Sequence, residues 1–195
     1  MIWRAAILAM LAAGPSFAQQ AVDGASARQM LFSERRSEMQ IFLHPALGED
    51  GLAALQSQQE ALLASIPYYG VVAMSPADGM GAETTVASGN FHDIPAARAA
   101  VLAACDARRA AGTPACVVVL EVRPRGWEQR ALQLSQGATA YFRREYGRGR
   151  GERAFAISAT SGGFGVGKGA GAAASAIAAC NAATGAGDCR VAIAD

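Results

Sequence analysis

The chain is poor in the side chains that enzymes most often use as bases, Schiff-base amines and metal ligands. Among its 195 residues are two histidines, His44 and His92, and one lysine, Lys168. Its four cysteines form no C-x-x-C pair, and its acidic residues are too scattered to indicate a catalytic pair of carboxylates. The spacing therefore assigns no catalytic residue, no cofactor or cofactor-binding residue and no metal ligand.

The chain also has little net charge. Its formal charge is +1 at pH 7, which gives no reason to expect a nucleic-acid partner. Residues 123–153 are the exception, because they hold eight arginines and only three glutamates. As a candidate patch for an anionic partner, such as an envelope protein or an anionic surface, we single out Arg143, Arg144, Arg148 and Arg150. The alternative is a solvated helix and linker, which we favour because aromatic residues do not recur at a regular spacing between the arginines.

One apolar run stands at the N-terminus and has the pattern of a signal peptide. Arg4 precedes an apolar stretch, and small residues occupy positions −3 and −1 of a cleavage site after Ala18. The run is too short for a transmembrane anchor, and Gln19 stands where a lipid anchor needs cysteine. We expect residues 1–18 to be removed and the remaining chain to be periplasmic or secreted, without a membrane span.

In an oxidising compartment the cysteines are best explained as disulfides, since they form an even set. They are Cys105, Cys116, Cys180 and Cys189. A catalytic pair of His92 with Cys105 is an alternative that we disfavour, because catalytic cysteines rarely come in matched pairs.

The sequence contains one pattern twice. Residues 72–75, VAMS, resemble residues 155–158, FAIS, and a glycine turn follows each, GMG at 79–81 and GFG at 163–165. An alanine-rich stretch at 96–105 then aligns without a gap on 171–180, and in both copies a second cysteine leads into an apolar strand. We predict a ββαβ unit for each copy. In the first copy Asp93 can cap the helix, whose first turn tolerates Pro95. The first has about nine extra residues between its glycine turn and its helix, which we place around 88–92.

The repeat also predicts how the cysteines pair. In each copy one cysteine lies in the last turn of the helix and the other at the start of the returning strand. Bridges Cys105–Cys116 and Cys180–Cys189 would therefore hold helix on sheet across a short loop. Each would stabilise the fold by on the order of 2–3 kcal/mol, because it constrains the unfolded chain.

Each unit is also preceded by a predicted helix. Before the first unit, leucines and Ile66 mark one apolar face, and before the second, Ser135 can cap a helix. We predict an α+β fold in which two pseudo-equivalent α-ββαβ units pack as one compact domain with N-terminal helices. The expected divisions are a signal peptide at 1–18, an N-terminal segment with a short helix at 19–44, a first unit at 45–122, an arginine-rich connecting segment with a helix at 123–153, and a second unit at 154–195.

The second glycine turn continues as SGGFGVGKG at 161–169, which contains the G-x-x-x-x-G-K spacing of a phosphate-binding loop. Gly169 stands where that loop needs Ser or Thr. Thr84 of the first copy aligns with Lys168, which places Lys168 on the return strand of a hairpin rather than at a helix start. We therefore explain the glycines by tight turning and close approach of a helix. A Schiff base on Lys168 is disfavoured, because the residue has no evident charge partner.

The repeated unit resembles a family of small secreted bacterial domains of unknown function, in which an apolar hairpin and an alanine-rich helix precede C-x(8–10)-C and an apolar strand. The resemblance covers residues 68–122 and 154–195. The whole chain also resembles exported alphaproteobacterial proteins that sometimes carry the name aminolevulinate synthase. Synthases of that family are far longer, cytoplasmic pyridoxal phosphate enzymes whose cofactor lysine lies in a large domain, so the resemblance does not imply that activity here.

Two classes of function remain. We favour a non-enzymatic module, stabilised by two disulfides, that binds a protein, an envelope surface or a small molecule. The alternative is a small periplasmic enzyme whose site assembles only in three dimensions. A cleft with converging polar groups between the two units would favour the enzyme, and a flat surface with an arginine patch would favour the module.

Overall fold

The computed structural model describes residues 20–195, so the predicted signal peptide and its cleavage site lie outside the described residues. Residues 20–195 form an α+β structure with six α-helices and two antiparallel sheets. Within this range no helix is long and apolar enough to cross a membrane.

The first sheet has four strands in the order β1-β4-β2-β3. They are β1 (Ser37–Ile41), β2 (Gly70–Met74), β3 (Val86–Ser88) and β4 (Val117–Pro124). Every residue of β2 is buried, in keeping with its unbroken apolar run. Helix α4 (Ile94–Asp106) packs on this sheet. Asp93 caps α4 by accepting a hydrogen bond from the Ala96 N–H at 2.8 Å, and Pro95 stands in its first turn as the sequence predicts.

The second sheet has three strands in the order β6-β5-β7. They are β5 (Arg153–Ser158), β6 (Phe164–Lys168) and β7 (Cys189–Ala194), with α6 (Ala172–Thr184) packed on them. Beyond β7, Val22 forms a parallel bridge with Ile193, and α1 (Gly24–Met30) follows. The N-terminal segment therefore divides between the two sheets, since α1 contacts the second and β1 belongs to the first.

The two units correspond in detail. Each runs strand, strand, helix, strand, and in each the first strand is the central one. Pairing shifts register between Val72 and Ala73 on β2, and between Phe155 and Ala156 on β5. These are the positions that the sequence alignment matches, so the units share an irregularity as well as an order of elements.

The glycine turns, however, were aligned wrongly from sequence. Val86 pairs with Ala73 on β2, and Gly165 pairs with the matching Ala156 on β5. Val86 is therefore the counterpart of Gly165. The first copy is longer by four residues between Ala73 and Val86, and by another four between Val86 and Cys105, so only half of its extra residues lie between the second strand and the helix, where the sequence places all of them. Strand register follows from which face is buried, whereas two short glycine motifs can match without occupying the same place.

Helix α6 lies with its backbone directly on β6. A methyl group on Gly165 would collide with backbone atoms of Ala176 and Cys180, and one on Gly167 with the carbonyl of Ala172. The expected close approach of a helix is thus confirmed, and it requires glycine at both positions. The buried residues of α6 are correspondingly small: Ala172, Ala176 and Cys180.

The opposite face of the second sheet carries an aromatic core. Helix α5 (Gln136–Arg144) begins at Ser135, whose hydroxyl accepts from the Ala138 N–H at 3.2 Å. Phe155 of β5 stacks on Phe164 of β6 at 5.1 Å between ring centroids. α5, the turn after it and α1 complete this core with Phe142, Tyr146, Ala27 and Leu31.

Two helices stand before the first unit instead of one. They are α2 (Gly48–Ser57) and α3 (Gln59–Ser65), and the chain leaves the helical conformation between them at Gln58. The break lets α3 contact β1, while α2 contacts the short 3₁₀ turn Pro45–Leu47. Of the predicted apolar face, Leu55 and Ile66 are buried.

Two disulfides are present, Cys105–Cys116 and Cys180–Cys189, with Cα atoms 6.1 and 6.0 Å apart. The predicted pairing is confirmed, and each bridge joins a helix to the strand that follows it. The sulfur of Cys105 is therefore bonded to Cys116, which rules out a catalytic pair with His92.

Candidate functional site

A polar cleft of about 180 Å³ opens where the two units meet. The segment before α4, the connecting segment, the end of β5, β7 and the N-terminal segment all contribute to its walls. Its charged and hydrogen-bonding lining residues are Gln20, His92, Asp93, Gln129, Arg130, Gln133, Ser158 and Arg190. The structure thus brings to one place residues that are as much as 170 positions apart in the chain.

His92, which belongs to the first unit, is held by backbone groups of the connecting segment and of the second unit. Its Nδ1 accepts from the Ser135 N–H at 3.0 Å, and its Nε2 lies 2.9 Å from the Gly163 carbonyl, to which it therefore donates. Burial lowers the pKa of His92 to about 4, because the charged imidazolium would lose its hydration. The ring is neutral at physiological pH with both nitrogens engaged, so it joins the units rather than acting as a base.

The same junction explains Gly162 of the SGGFGVGKG segment. A methyl group there would collide with the backbone carbonyl of Asn90. The Gly162 carbonyl accepts from the Ser135 hydroxyl at 3.2 Å, and the Asn90 carboxamide oxygen accepts from the Gly137 N–H at 2.9 Å. The segment between β3 and α4 is therefore packed against both the second hairpin and the start of α5.

Gln133 is buried and lines the cleft. Its side-chain oxygen accepts from the Trp127 indole N–H at 2.8 Å. An indole nitrogen can only donate, so this contact fixes the orientation of the carboxamide. The NH₂ group of Gln133 is then the end that can donate to a ligand.

Three charged side chains border the cleft: Asp93, Arg130 and Arg190. Arg130 is held in place, since it pairs with Glu128 at 2.9 Å and donates to the Met30 carbonyl at 2.8 Å. Arg190 is exposed on β7. Asp93 uses one carboxylate oxygen to cap α4. The cleft therefore presents charges of both signs.

Ser158 is buried at the end of β5 and donates its hydroxyl proton to Asp188 at 3.0 Å. Asp188 also accepts from the backbone N–H and the hydroxyl of Thr160, at 2.8 and 2.6 Å. The hydrogen bonds from the hydroxyls of Thr160 and Ser158 lower the pKa of the Asp188 carboxyl group. The carboxylate that accepts from Ser158 is a weak base, because its pKa is lowered, so this cluster closes a turn rather than activating a nucleophile.

A second cavity, of about 510 Å³, lies between α2 and the turn that joins β2 to β3. Its lining is mainly apolar and includes Leu47, Leu55, Leu62 and Met80. It lacks the converging polar groups of the first cleft.

Lys168 is exposed at the end of β6, opposite Arg153. Helix α6 begins four residues later at Ala172. The chain from Phe164 to Lys168 is paired with β5 in the sheet, so its amides are not gathered at a helix N-terminus as phosphate binding requires. The placement of Lys168 on a return strand is confirmed, although its alignment with Thr84 is not.

The four arginines of the candidate patch have different surroundings. Arg143 is half-buried, lies 3.4 Å from Glu34, and donates to the carbonyls of Leu31 and Phe32 at 3.1 and 3.3 Å. It therefore ties the chain after α1 to α5. The other three are exposed: Arg144, Arg148 and Arg150.

Pairing also cancels much of the positive excess in residues 123–153. Arg123, Arg130, Arg143 and Arg153 form ion pairs, and three of the four carboxylates come from outside the segment: Glu121, Glu34 and Asp195. A count along the sequence overestimates the surface charge here. Binding of an anionic partner by the patch stays a prediction.

Glu121 is the one fully buried carboxylate among residues 20–195. It lies between the guanidinium groups of Arg98 and Arg123. The ring of Trp127 covers Arg123 at 4.3 Å. The cluster holds α4 against β4, and Glu121 does not line the cleft.

Within residues 20–195, no group of three or more His, Cys, Asp or Glu side chains could hold a metal ion. No family model, curated protein or solved structure matches the chain. The function must therefore be inferred from the site itself.

Sequence reasoning found only part of this cleft. It singled out His92 as a possible base and Asp93 as a helix cap, and it missed Gln133, Ser158 and Arg190. These residues lie in segments far apart in the chain, and no local spacing connects them. The repeat offered one usable signal, since it predicted that two units pack together. A cleft with converging polar groups between them was expected only if the protein is an enzyme.

Proposed function

We propose that this protein is an exported, non-enzymatic binding module whose ligand site is the cleft between its two units. Two disulfides support an oxidising compartment, since such bonds persist outside the cytoplasm. We also infer that the units are copies of one ββαβ module, because they share strand order and the site of the register shift. A cleft at the junction of two such copies is a common place for a ligand.

The observation that carries the proposal is the state of the groups in the cleft. Both ring nitrogens of His92 are hydrogen-bonded to backbone groups, and the Ser158 hydroxyl donates a hydrogen bond to the Asp188 carboxylate. General acid–base chemistry needs a group that is free to take or give a proton near the operating pH. The remaining groups are charged side chains and three carboxamides, which suit recognition better than proton transfer.

A small enzyme is the second candidate, and the convergence of polar groups between the units is the observation in its favour. Among residues 20–195, Asp93 is the only carboxylate that lines the cleft. Acid–base catalysis usually needs two titratable groups, one acting as the acid and one as the base, whose pKa values are shifted apart. This arrangement therefore favours binding over turnover.

Native mass spectrometry of protein purified from the periplasm tests the proposal. We expect a retained small-molecule adduct that is lost on denaturation. Ala159→Trp should remove the adduct, because Ala159 is an exposed lining residue and its replacement fills the cleft from the solvent side.

Ala183→Trp is the matched control, since Ala183 is exposed on α6 and does not line the cleft. It should keep the adduct. An adduct that survives Ala159→Trp, or a chain that never carries one in its native compartment, would contradict the proposal.

A further inference from the structure

We propose that the ligand of the cleft is a small zwitterion of the α-amino-acid class. Its carboxylate is bound by Arg190 and by the NH₂ group of Gln133, and its ammonium group by Asp93. The inference rests on the proposed function, because it names the chemistry of a ligand for the same cleft.

Size is the first constraint. The cleft volume of about 180 Å³ is below the roughly 300 Å³ at which sites for drug-sized ligands begin. It is about the space of six water molecules in the liquid. A nucleotide, a peptide or an oligosaccharide does not fit within it, whereas a small amino acid does.

The hydrogen-bond donors that line the cleft favour a carboxylate. Gln133 is buried and its orientation is fixed by Trp127, so its NH₂ group is a preorganised donor. Arg190 brings a guanidinium group, whose planar geometry matches a carboxylate. Arg130, held by Glu128 and Met30, adds a second fixed positive charge.

Asp93 supplies the opposite charge at the N-terminus of α4. One of its oxygens accepts the Ala96 N–H, which leaves the second oxygen as an acceptor for a ligand ammonium group. Its carboxylate would repel a simple anion, and the arginines would repel a simple amine. A molecule that carries both charges satisfies both kinds of group, because neither charge is then left facing its like.

A matched set of three compounds tests this with the mature, disulfide-bonded protein. Calorimetric titrations would use L-alanine, propionate, which lacks the amino group, and ethylamine, which lacks the carboxylate. A panel of the other common α-amino acids would cover side-chain preference. We expect saturable binding of at least one amino acid, with its deaminated and decarboxylated counterparts at least tenfold weaker.

Three variants assign the contacts. Asp93→Asn keeps the helix cap, because Asn is as good an N-cap as Asp. It should weaken amino-acid binding at least tenfold and strengthen propionate binding, because it removes the negative charge that repels a simple anion. Arg190→Gln should weaken both. Arg144→Gln, an exposed change on α5 outside the cleft, should weaken neither.

The outcomes separate this inference from the proposed function. Carboxylates that bind as tightly as amino acids would overturn the zwitterion and leave the cleft as a binding site. The same holds if fragmentation identifies a retained adduct that is not an amino acid. If no compound binds and no adduct is retained, both proposals fail.

Discussion

The two units share one topology but seat their helices in different ways. In the first unit, α4 meets the sheet through side chains, with Ile94, Ala97, Val101 and Cys105 buried beneath it. In the second unit, α6 meets β6 backbone to backbone across Gly165 and Gly167. The first unit therefore has branched side chains between its helix and its sheet, whereas the buried residues of α6 are only alanine and cysteine.

Because of this difference, the second unit depends on segments outside its ββαβ elements for its hydrophobic core. Alanine and glycine bury little apolar area, so the α6 interface contributes little hydrophobic free energy per residue. The compensation lies on the other face of the sheet, where Phe155 and Phe164 pack under α5 and α1. The N-terminal segment and the connecting segment are thus structural parts of the second unit. Arg143 stabilises this arrangement, because it joins the chain after α1 to α5.

The largest expected effect comes from exchanging the two kinds of interface. Gly165→Val places in the second unit the side chain that Val86 has at the matching position of the first. It should destabilise the fold by about 3 kcal/mol or more, because α6 would have to lift off β6. Chemical denaturation measures the loss.

Ala87→Val is the control for that exchange, since Ala87 is exposed on β3 and its change should stay within about 0.5 kcal/mol. If Gly165→Val were as stable as the natural chain, α6 would be free to shift, and the backbone contact would not be what distinguishes the units.

The second prediction concerns the joint between the units. The pKa of His92 is lowered to about 4 in the folded protein, against about 6.5 in the unfolded chain. The unfolded state then binds more protons between these values, so stability is complete above pH 6.5 and falls as the pH drops towards 4. The loss should be about 3 kcal/mol.

Unfolding titrations from pH 7 to pH 4 on the natural chain and on His92→Gln check this. The variant should lose most of the pH dependence in that window, since it removes the group that titrates there. If the unfolding free energy of both proteins fell equally with pH, the proton would be taken up by another group, and the neutral His92 would not be what stabilises the contact between the units.

Removing the disulfides should reveal the smallest difference between the units, since the loss of stability should be nearly the same in both. Their sequence separations are 11 and 9 residues, and the entropy of loop closure depends weakly on length. Replacing Cys105 and Cys116 together by alanine should cost about 2–3 kcal/mol, and replacing Cys180 and Cys189 should cost the same within about 0.5 kcal/mol. Reversible unfolding of both double variants supplies the comparison. A much larger cost in the second unit would mean that its bridge also holds α6 on the sheet.

Much of the fold could be predicted from local patterns. The caps at Asp93 and Ser135 and the cysteine pairing depend on neighbours in the chain, and each is confirmed. The counterpart of Gly165 was predicted wrongly, because strand pairing depends on a partner strand that a glycine motif does not specify. The single helix before the first unit became two, since α3 turns to contact β1.

The candidate site was less predictable than the fold. Gln133 and Arg190 belong to no recognisable sequence motif. They line the cleft because segments that are far apart in the chain come together there. The arginine excess of residues 123–153 was visible in the sequence, but its carboxylate partners at Glu34, Glu121 and Asp195 were not.

The cysteine pairing and the glycines that let α6 approach its sheet follow from the sequence, because they depend on backbone geometry within one unit. The cleft, the neutral state of His92 and the pairing of the arginines become visible only in the folded chain. Those properties arise where separate segments meet, since burial and charge pairing depend on distance in space rather than on distance along the chain.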